Sequence, residues 1–222
     1  LNKFTDTGVL VSFEGIDASG KNTQSRMLFD VLREKSISCE YASFPFYSSP
    51  IGQEIKNYLT GKHEYGPETR HLLYSANRYE LKPSIDGWIS EKKIVVLNRY
   101  CESNIAYGVA DGLPLPWLEQ LEGRMPKSDY VFYLKISPDT SVMRKSSRDR
   151  FEANLNFLNR VSSVYDALAS RPNWFTIDAA QDVGIIHYEI TKTLSSLIDE
   201  RNIINGKRAP YSASQTENRS IS

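Results

Sequence analysis

Short runs of apolar and β-branched residues alternate along the chain with longer stretches in which apolar positions recur every three or four residues. "GVLVSF" (8–13), "CEYASF" (39–44), "KIVVLN" (93–98), "DYVFYLKI" (129–136) and "NWFTID" (173–178) have the length and residue types of strands. Several are apolar almost throughout, the pattern of parallel strands covered on both faces. Between them the spacing predicts helices near 21–36, 50–60, 67–91, 101–111, 138–146, 151–170 and 182–200. In the 151–170 segment, Phe151, Leu155, Leu158, Val161, Tyr165 and Leu168 form a core-facing stripe. Pro83 is expected to kink or split the 67–91 segment, and "GLPLP" (112–116) reads as a connecting loop. Strand and helix in alternation give an α/β three-layer fold, with a central parallel sheet of about five strands flanked by helices.

Composition adds bounds to this pattern. A chain of 222 residues with 40% hydrophobic content buries one sizeable core, read as a single domain over 1–200. Residues 201–222 are polar, rich in small residues and aperiodic, and are expected to form a loose tail. With 27 basic and 27 acidic residues the formal charge is zero. No global field draws the chain to nucleic acid or an anionic membrane, so any phosphate binding is local. Cys39 and Cys101 are too few for a disulfide framework or a zinc site, which suits a reducing interior. No apolar run approaches the roughly 20 residues that span a bilayer. "LNKFTDTGVLVSF" lacks the order of a signal peptide. The expectation is a cytoplasmic protein.

The chemistry begins at "FEGIDASGKNTQ" (13–24), where a strand runs through a glycine-rich turn into a helix. Gly15 and Gly20 let the backbone curl so that consecutive N–H groups point inward. The helix N-terminus adds partial positive charge, and Lys21 reaches the outer phosphates of a nucleotide. The residues expected around ATP are therefore Gly15, Ile16, Asp17, Ala18, Ser19, Gly20, Lys21, Asn22 and Thr23. Asn22 stands where a Ser or Thr hydroxyl normally meets magnesium, with Thr23 offering a hydroxyl one position later.

Four further segments follow in order: "SFPFYSSPIGQEIKNYLTG" (43–61), "HLLYSANRYE" (71–80), "NRYCESNIAYG" (98–108) and "RDRFEANLNFLNRVSSVYDALA" (148–169). Together with the phosphate loop this sequence resembles the thymidylate kinases, P-loop nucleoside monophosphate kinases, from about Val9 to Asp178. The resemblance implies a P-loop kinase fold and transfer of the γ-phosphoryl group of ATP to dTMP, with Mg2+, giving ADP and dTDP. By resemblance, Tyr74 stacks on thymine and Arg78 bonds the base; their spacing of four puts both on one helix face. Phe44 packs beside the base, and Tyr47 reaches the acceptor phosphate, where other members place an arginine. Arg99 bridges the two phosphates as a planar cation. Asn104 and Ser103 lie toward the thymine edge. Tyr107 either packs on the sugar or simply fills core. Asp17 accepts the sugar's 3′-hydroxyl. The lid is expected at about 144–152: Arg144 packs on adenine, and Arg148 and Arg150 are the candidates for the transition-state cation. Backbone around Ala179 and Ala180 approaches adenine. Lys21, Arg99, Arg148 and Arg150 form the expected catalytic set. The family also implies a homodimer, and Leu72, Leu73 and Ala76 form an apolar stripe suited to core or dimer face alike.

Two departures bear on the metal. Besides Asn22, the strand-end motif reads Asn98-Arg99-Tyr100 where the family has an aspartate first. Asparagine keeps one acceptor oxygen and loses the charge that a hard dication prefers. Asn22, Thr23 and Asn98 are the candidate metal-proximal residues, and Glu14, Asp17 and Glu102 the acidic groups near enough in sequence to compensate. The alternatives that stay open are a kinase for another (deoxy)nucleoside monophosphate and a catalytically impaired nucleotide-binding regulatory protein. Neither a nucleic-acid nor a membrane partner is expected.

Overall fold

The computed structural model describes residues 8–144 and 155–206. In chain order the elements are β1 (Val9–Glu14), α1 (Lys21–Glu34), β2 (Cys39–Ser43), α2 (Pro50–Leu59), α3 (Pro67–Ser90), β3 (Ile94–Asn98), α4 (Cys101–Ala110), α5 (Leu115–Glu122), β4 (Tyr130–Lys135), α6 (Pro138–Arg144), α7 (Leu155–Leu168), β5 (Trp174–Asp178) and α8 (Val183–Gly206). The strands form one 5-stranded sheet in the order β2-β3-β1-β4-β5, and every neighbouring pair is parallel.

Burial explains the apolar strands. All of β1 and β3 is buried. One face, with Val9, Val11, Phe13, Ile94 and Val96, packs on Leu28 and Leu32 of α1 and on Ile186, Ile190 and Leu194 of α8. The other face, with Leu10, Val95 and Leu97, packs on Ile85 of α3, Phe44, Tyr100 and Met125. A residue shift of one would exchange the two faces, so the two cores fix the register.

The expected α/β sheet is present, with every predicted strand in place to within a residue or two at its ends. Three expectations need correction. Pro83 does not split the third helix: α3 runs unbroken through it. Proline forfeits one bond to the carbonyl four residues back, but the packing of Ile85, Trp88 and Ile89 on the sheet holds the helix beyond it. "GLPLP" is a loop only to Pro114, because α5 begins at Leu115 and carries a proline in its first turn, where no amide is needed. The last helix continues to Gly206, past the expected 200. Most of the expected lid, with Arg148 and Arg150, lies outside the described residues, as does 207–222.

The chain leaves β1 toward β2 and β3 on one side of the sheet and reaches β4 and β5 on the other. The crevice beyond the carboxyl ends of β1 and β3 is therefore a topological switch point, the usual place for a ligand in such sheets.

Candidate active site

The loop after β1 crosses the top of the sheet between two groups of side chains. Gly15 has φ +137°, and a Cβ there would lie 2.5 Å from the Leu134 carbonyl oxygen of β4. Gly20 caps α1 at φ 92° in the left-handed region. Both turns favour glycine, which alone adopts such backbone without strain. Lys21 is 5% exposed. Its Nζ donates to the Ile16 carbonyl at 2.5 Å and the Ser19 hydroxyl at 3.2 Å, which arches the ammonium over the loop. Asn22 and Thr23 are exposed in the first turn of α1.

On the β4–β5 side, the Ser141 hydroxyl donates to the Asp17 carbonyl at 2.8 Å. Arg144 Nη1 donates to the Ala179 carbonyl at 3.1 Å and lies 3.5 Å from that of Ala18. Arg144, Ala179 and the loop, named separately from the sequence, are thus brought together. Ala180 N–H closes a turn on Asp178 Oδ1 at 2.9 Å.

On the β3–β2 side lies a cleft with about 740 Å³ of free space, counting its open mouth. Asp17, Phe44, Tyr47, Tyr74, Arg78, Arg99, Ser103, Asn104 and Tyr107 all line it. Every residue expected to hold dTMP therefore faces one cavity. Arg99 stands where this cleft meets the phosphate loop. Its Nη2 pairs with Asp17 Oδ1, and Nη1 lies 3.4 Å from the Gly15 carbonyl and the Ser103 hydroxyl. Its guanidinium is 5.4 Å from the centre of the Tyr107 ring. Tyr107 also packs on Phe157 and Tyr165, so it fills core while lining the cleft. Arg99 has φ 60°, a left-handed backbone unusual for a residue with a Cβ.

The cleft also has walls that the sequence did not announce. Pro45, Leu59, His71 and Asn77 line it. Beneath it the Glu122 carboxylate pairs with Arg78 and accepts from Asn104 Nδ2 at 2.7 Å. Burial raises the proton affinity of Glu122, but the Arg78 charge and its hydrogen bonds outweigh that and hold the carboxyl below its ordinary range. Burial pushes the Tyr74 phenol well up, so the ring is neutral as it faces the cleft.

The acidic groups near the loop differ in availability. Glu14 is fully buried. It accepts from the Tyr100 N–H at 2.7 Å, the Ser103 hydroxyl at 2.6 Å and the Tyr165 hydroxyl at 3.0 Å. Asp17 is paired with Arg99. Burial and the charge of Glu14 push the Glu102 carboxyl up to about 7. Among the described residues no group of three or more His, Cys, Asp or Glu converges. What remains is neutral oxygen: Asn22 Oδ1, which accepts from the Tyr41 hydroxyl at 3.4 Å, and Asn98 Oδ1. Asn98 Nδ2 donates to Ser43 Oγ at 2.9 Å, while its buried Oδ1 has no hydrogen-bond partner. Such acceptors suit the water shell of a dication whose charge is met by phosphates.

Comparison with known proteins points to one family. The family model for thymidylate kinase matches residues 13–190. A putative thymidylate kinase, 251L, of Invertebrate iridescent virus 6 is 33% identical, over 88% of this chain and 92% of its own length. The thymidylate kinase of Homo sapiens is 32% identical, over 82% of this chain and 88% of its own. A solved thymidylate kinase structure from Candida albicans superposes with a TM-score of 0.69 at 25% identity, covering 91% of this chain and 94% of that one.

Proposed function

The chain belongs to the thymidylate kinase family, and from that membership we propose how its own residues serve the reaction. It is an ATP-dependent nucleoside monophosphate kinase, transferring the γ-phosphoryl group of ATP to dTMP to give ADP and dTDP. A phosphate oxygen of dTMP attacks the γ-phosphorus as the bond to the β–γ bridging oxygen breaks. Little covalent work falls to the protein, whose part is to position two anions and meet their charge.

The observation that carries the residue assignment is the opening of the acceptor cleft onto the phosphate loop at Arg99. In this reading dTMP lies in the cleft with its base between Phe44 and Tyr74, its edge toward Arg78 and its sugar against Tyr107. ATP lies along the loop with adenine near Arg144 and Ala179. Arg99 and Lys21 bracket the phosphoryl group in transit, and Asp17 holds Arg99 and takes the sugar hydroxyl. Arg148 and Arg150 are the lid cations of this proposal. Mg2+ bound with ATP would neutralise phosphate charge, held by Asn22, Thr23 and Asn98 as neutral oxygens around it. We also assign the chain to the cytoplasm and to a homodimer, in which α3 presents Leu72, 47% exposed, beside the half-buried Leu73 and Ala76.

Incubating the protein with ATP, Mg2+ and each nucleoside monophosphate in parallel, while following ADP and diphosphate formation, tests the assignment. Selective dTDP production is expected. Preference for dAMP or dCMP would refute it, and tight binding of both nucleotides without product would place the protein in a non-catalytic class.

A further inference from the structure

The floor of the acceptor cleft is organised by a residue from the helix that the sequence did not announce. Glu122, the last residue of α5, is 6% exposed. Its Oε2 accepts from Arg78 Nε at 2.9 Å, and its Oε1 accepts from Arg78 Nη2 and from Asn104 Nδ2, the latter at 2.7 Å. Asn104 is held from a second direction, because its Nδ2 also faces the His71 carbonyl at 3.3 Å and its Oδ1 lies 2.7 Å from His71 Nδ1. An amide nitrogen set against a carboxylate and a carbonyl has one orientation, so Oδ1 accepts the proton of His71 Nδ1. Behind His71, Nε2 is 3.1 Å from Asp111 Oδ2, which Arg70 also reaches at 2.8 Å. One chain of side chains thus links α5, α4 and α3 under the base site.

This arrangement has a chemical consequence at the cleft surface. Two of the three Arg78 nitrogens are engaged by Glu122, which leaves Nη1 on a side chain that lines the cleft. A guanidinium only donates. Asn104, also lining the cleft, has its amide atoms committed to Glu122 and His71. Of these two side chains, the donor left to a base edge is therefore Arg78 Nη1. A keto oxygen matches it; an amino group meets another donor and leaves both unpaired.

We propose that Glu122 is a positioning residue for base selection: by fixing Arg78 and Asn104 in one orientation, it makes the cleft choose a 4-keto over a 4-amino pyrimidine monophosphate. The proposal rests on the dTMP kinase reading. Glu122 touches no substrate and acts through its two neighbours.

The test is steady-state kinetics of the full chain, as wild type, Glu122→Gln and Glu122→Asp, with dTMP, dCMP and ATP varied in turn. Thermal melting and ATP binding by calorimetry confirm that each variant folds. In Glu122→Gln the KM for dTMP is expected to rise, and the ratio of kcat/KM for dTMP over dCMP to fall, by at least about tenfold, the loss of one charge-assisted bond. The KM for ATP should stay unchanged and kcat within about threefold, since the phosphate machinery is untouched. Glu122→Asp keeps the charge on a shorter arm, so it should recover part of both losses. If Glu122→Gln does not fold, the aspartate variant decides alone, by whether its dTMP-to-dCMP ratio falls. An unaltered KM and ratio in a folded variant would overturn the proposal. So would a parallel fall of kcat with every substrate, which marks a merely structural role. A wild type that turns over no dTMP would instead remove the underlying functional reading, which separates the two failures.

Discussion

Removing the side chain of Asn77 should loosen the acceptor loop while sparing the donor site, and the effect can be sized. Asn77 sits on α3 and is 1% exposed. Its Oδ1 accepts the Phe46 N–H at 2.7 Å. Its Nδ2 donates to Ser49 Oγ and Glu80 Oε2, each at 2.9 Å, and to the Phe46 carbonyl at 3.2 Å. Ser49 in turn caps α2 by accepting the Gly52 N–H at 3.0 Å. One amide thus ties α3 to the loop that carries Phe44 and Tyr47 and to the start of the next helix. Asn77→Ala strands one backbone donor and deprives three acceptors. At about 1 kcal/mol per bond, with the extra cost of the stranded donor set against water entry, the loss is about 3 kcal/mol. For a chain of this length that is a fall in Tm of about 6–12 °C. The loop lies on the β2 side of β3, away from Arg144 and Ala179, so the KM for dTMP should rise about tenfold while that for ATP holds. Urea titration and kinetics with each substrate varied read the two effects. A stability loss under about 1 kcal/mol together with an unchanged KM for dTMP would refute the reasoning.

Three other outcomes are expected. Gly15→Ala forces a Cβ to within 2.5 Å of the Leu134 carbonyl at a φ of +137°; it should cost about 2–4 kcal/mol and weaken ATP binding, seen by melting and calorimetry, whereas a neutral result would mean that β1 and β4 yield easily. Glu102 rises from the ordinary 4.5 to about 7 in the folded protein, so its contribution to stability is fully present below about 4.5 and is lost as pH rises through about 7. Against Glu102→Gln, the wild type should therefore lose up to about 3 kcal/mol more between pH 4.5 and 8 in urea titrations, and parallel profiles would contradict this. Asn98→Asp returns a charge beside Ser43 and should lower the Mg2+ concentration that half-saturates ATP binding by about tenfold, measured by calorimetry; an unchanged value would show that position 98 does not sense the ion.

What could be read in advance depended on locality. The central strands β1, β3 and β4 were legible because they are largely buried and therefore apolar in one short run, whereas the edge strands β2 and β5 showed through β-branched and aromatic residues. The phosphate loop was legible because its glycines, lysine and flanking elements are contiguous. Tyr74 and Arg78 followed from the resemblance of the 71–80 segment, helical spacing adding only that they share one face. Glu122 and His71 did not, because an isolated glutamate or histidine carries no local sign of a partner 44 or 33 residues away. The misreading of "GLPLP" compounded this. Pro116 was taken as loop, although proline in a first turn is also a helix start, and so the helix that delivers Glu122 went unseen. Pro83 erred the other way, since a rule about single residues was overruled by the core beneath α3.

The backbone at Arg99 sets two selective pressures against each other. A left-handed residue with a Cβ costs about 1 kcal/mol or more relative to glycine, and that strain lies at a position that touches both the phosphate loop and the acceptor cleft. A library selected only for resistance to heat should therefore drift toward glycine at 99, gaining folded protein as it loses turnover. Selection for growth on the enzyme's product should hold arginine there despite the strain. Divergence between the two lineages at this one codon would measure, in populations, how much stability the chain gives up for a cation at the seam between its substrates.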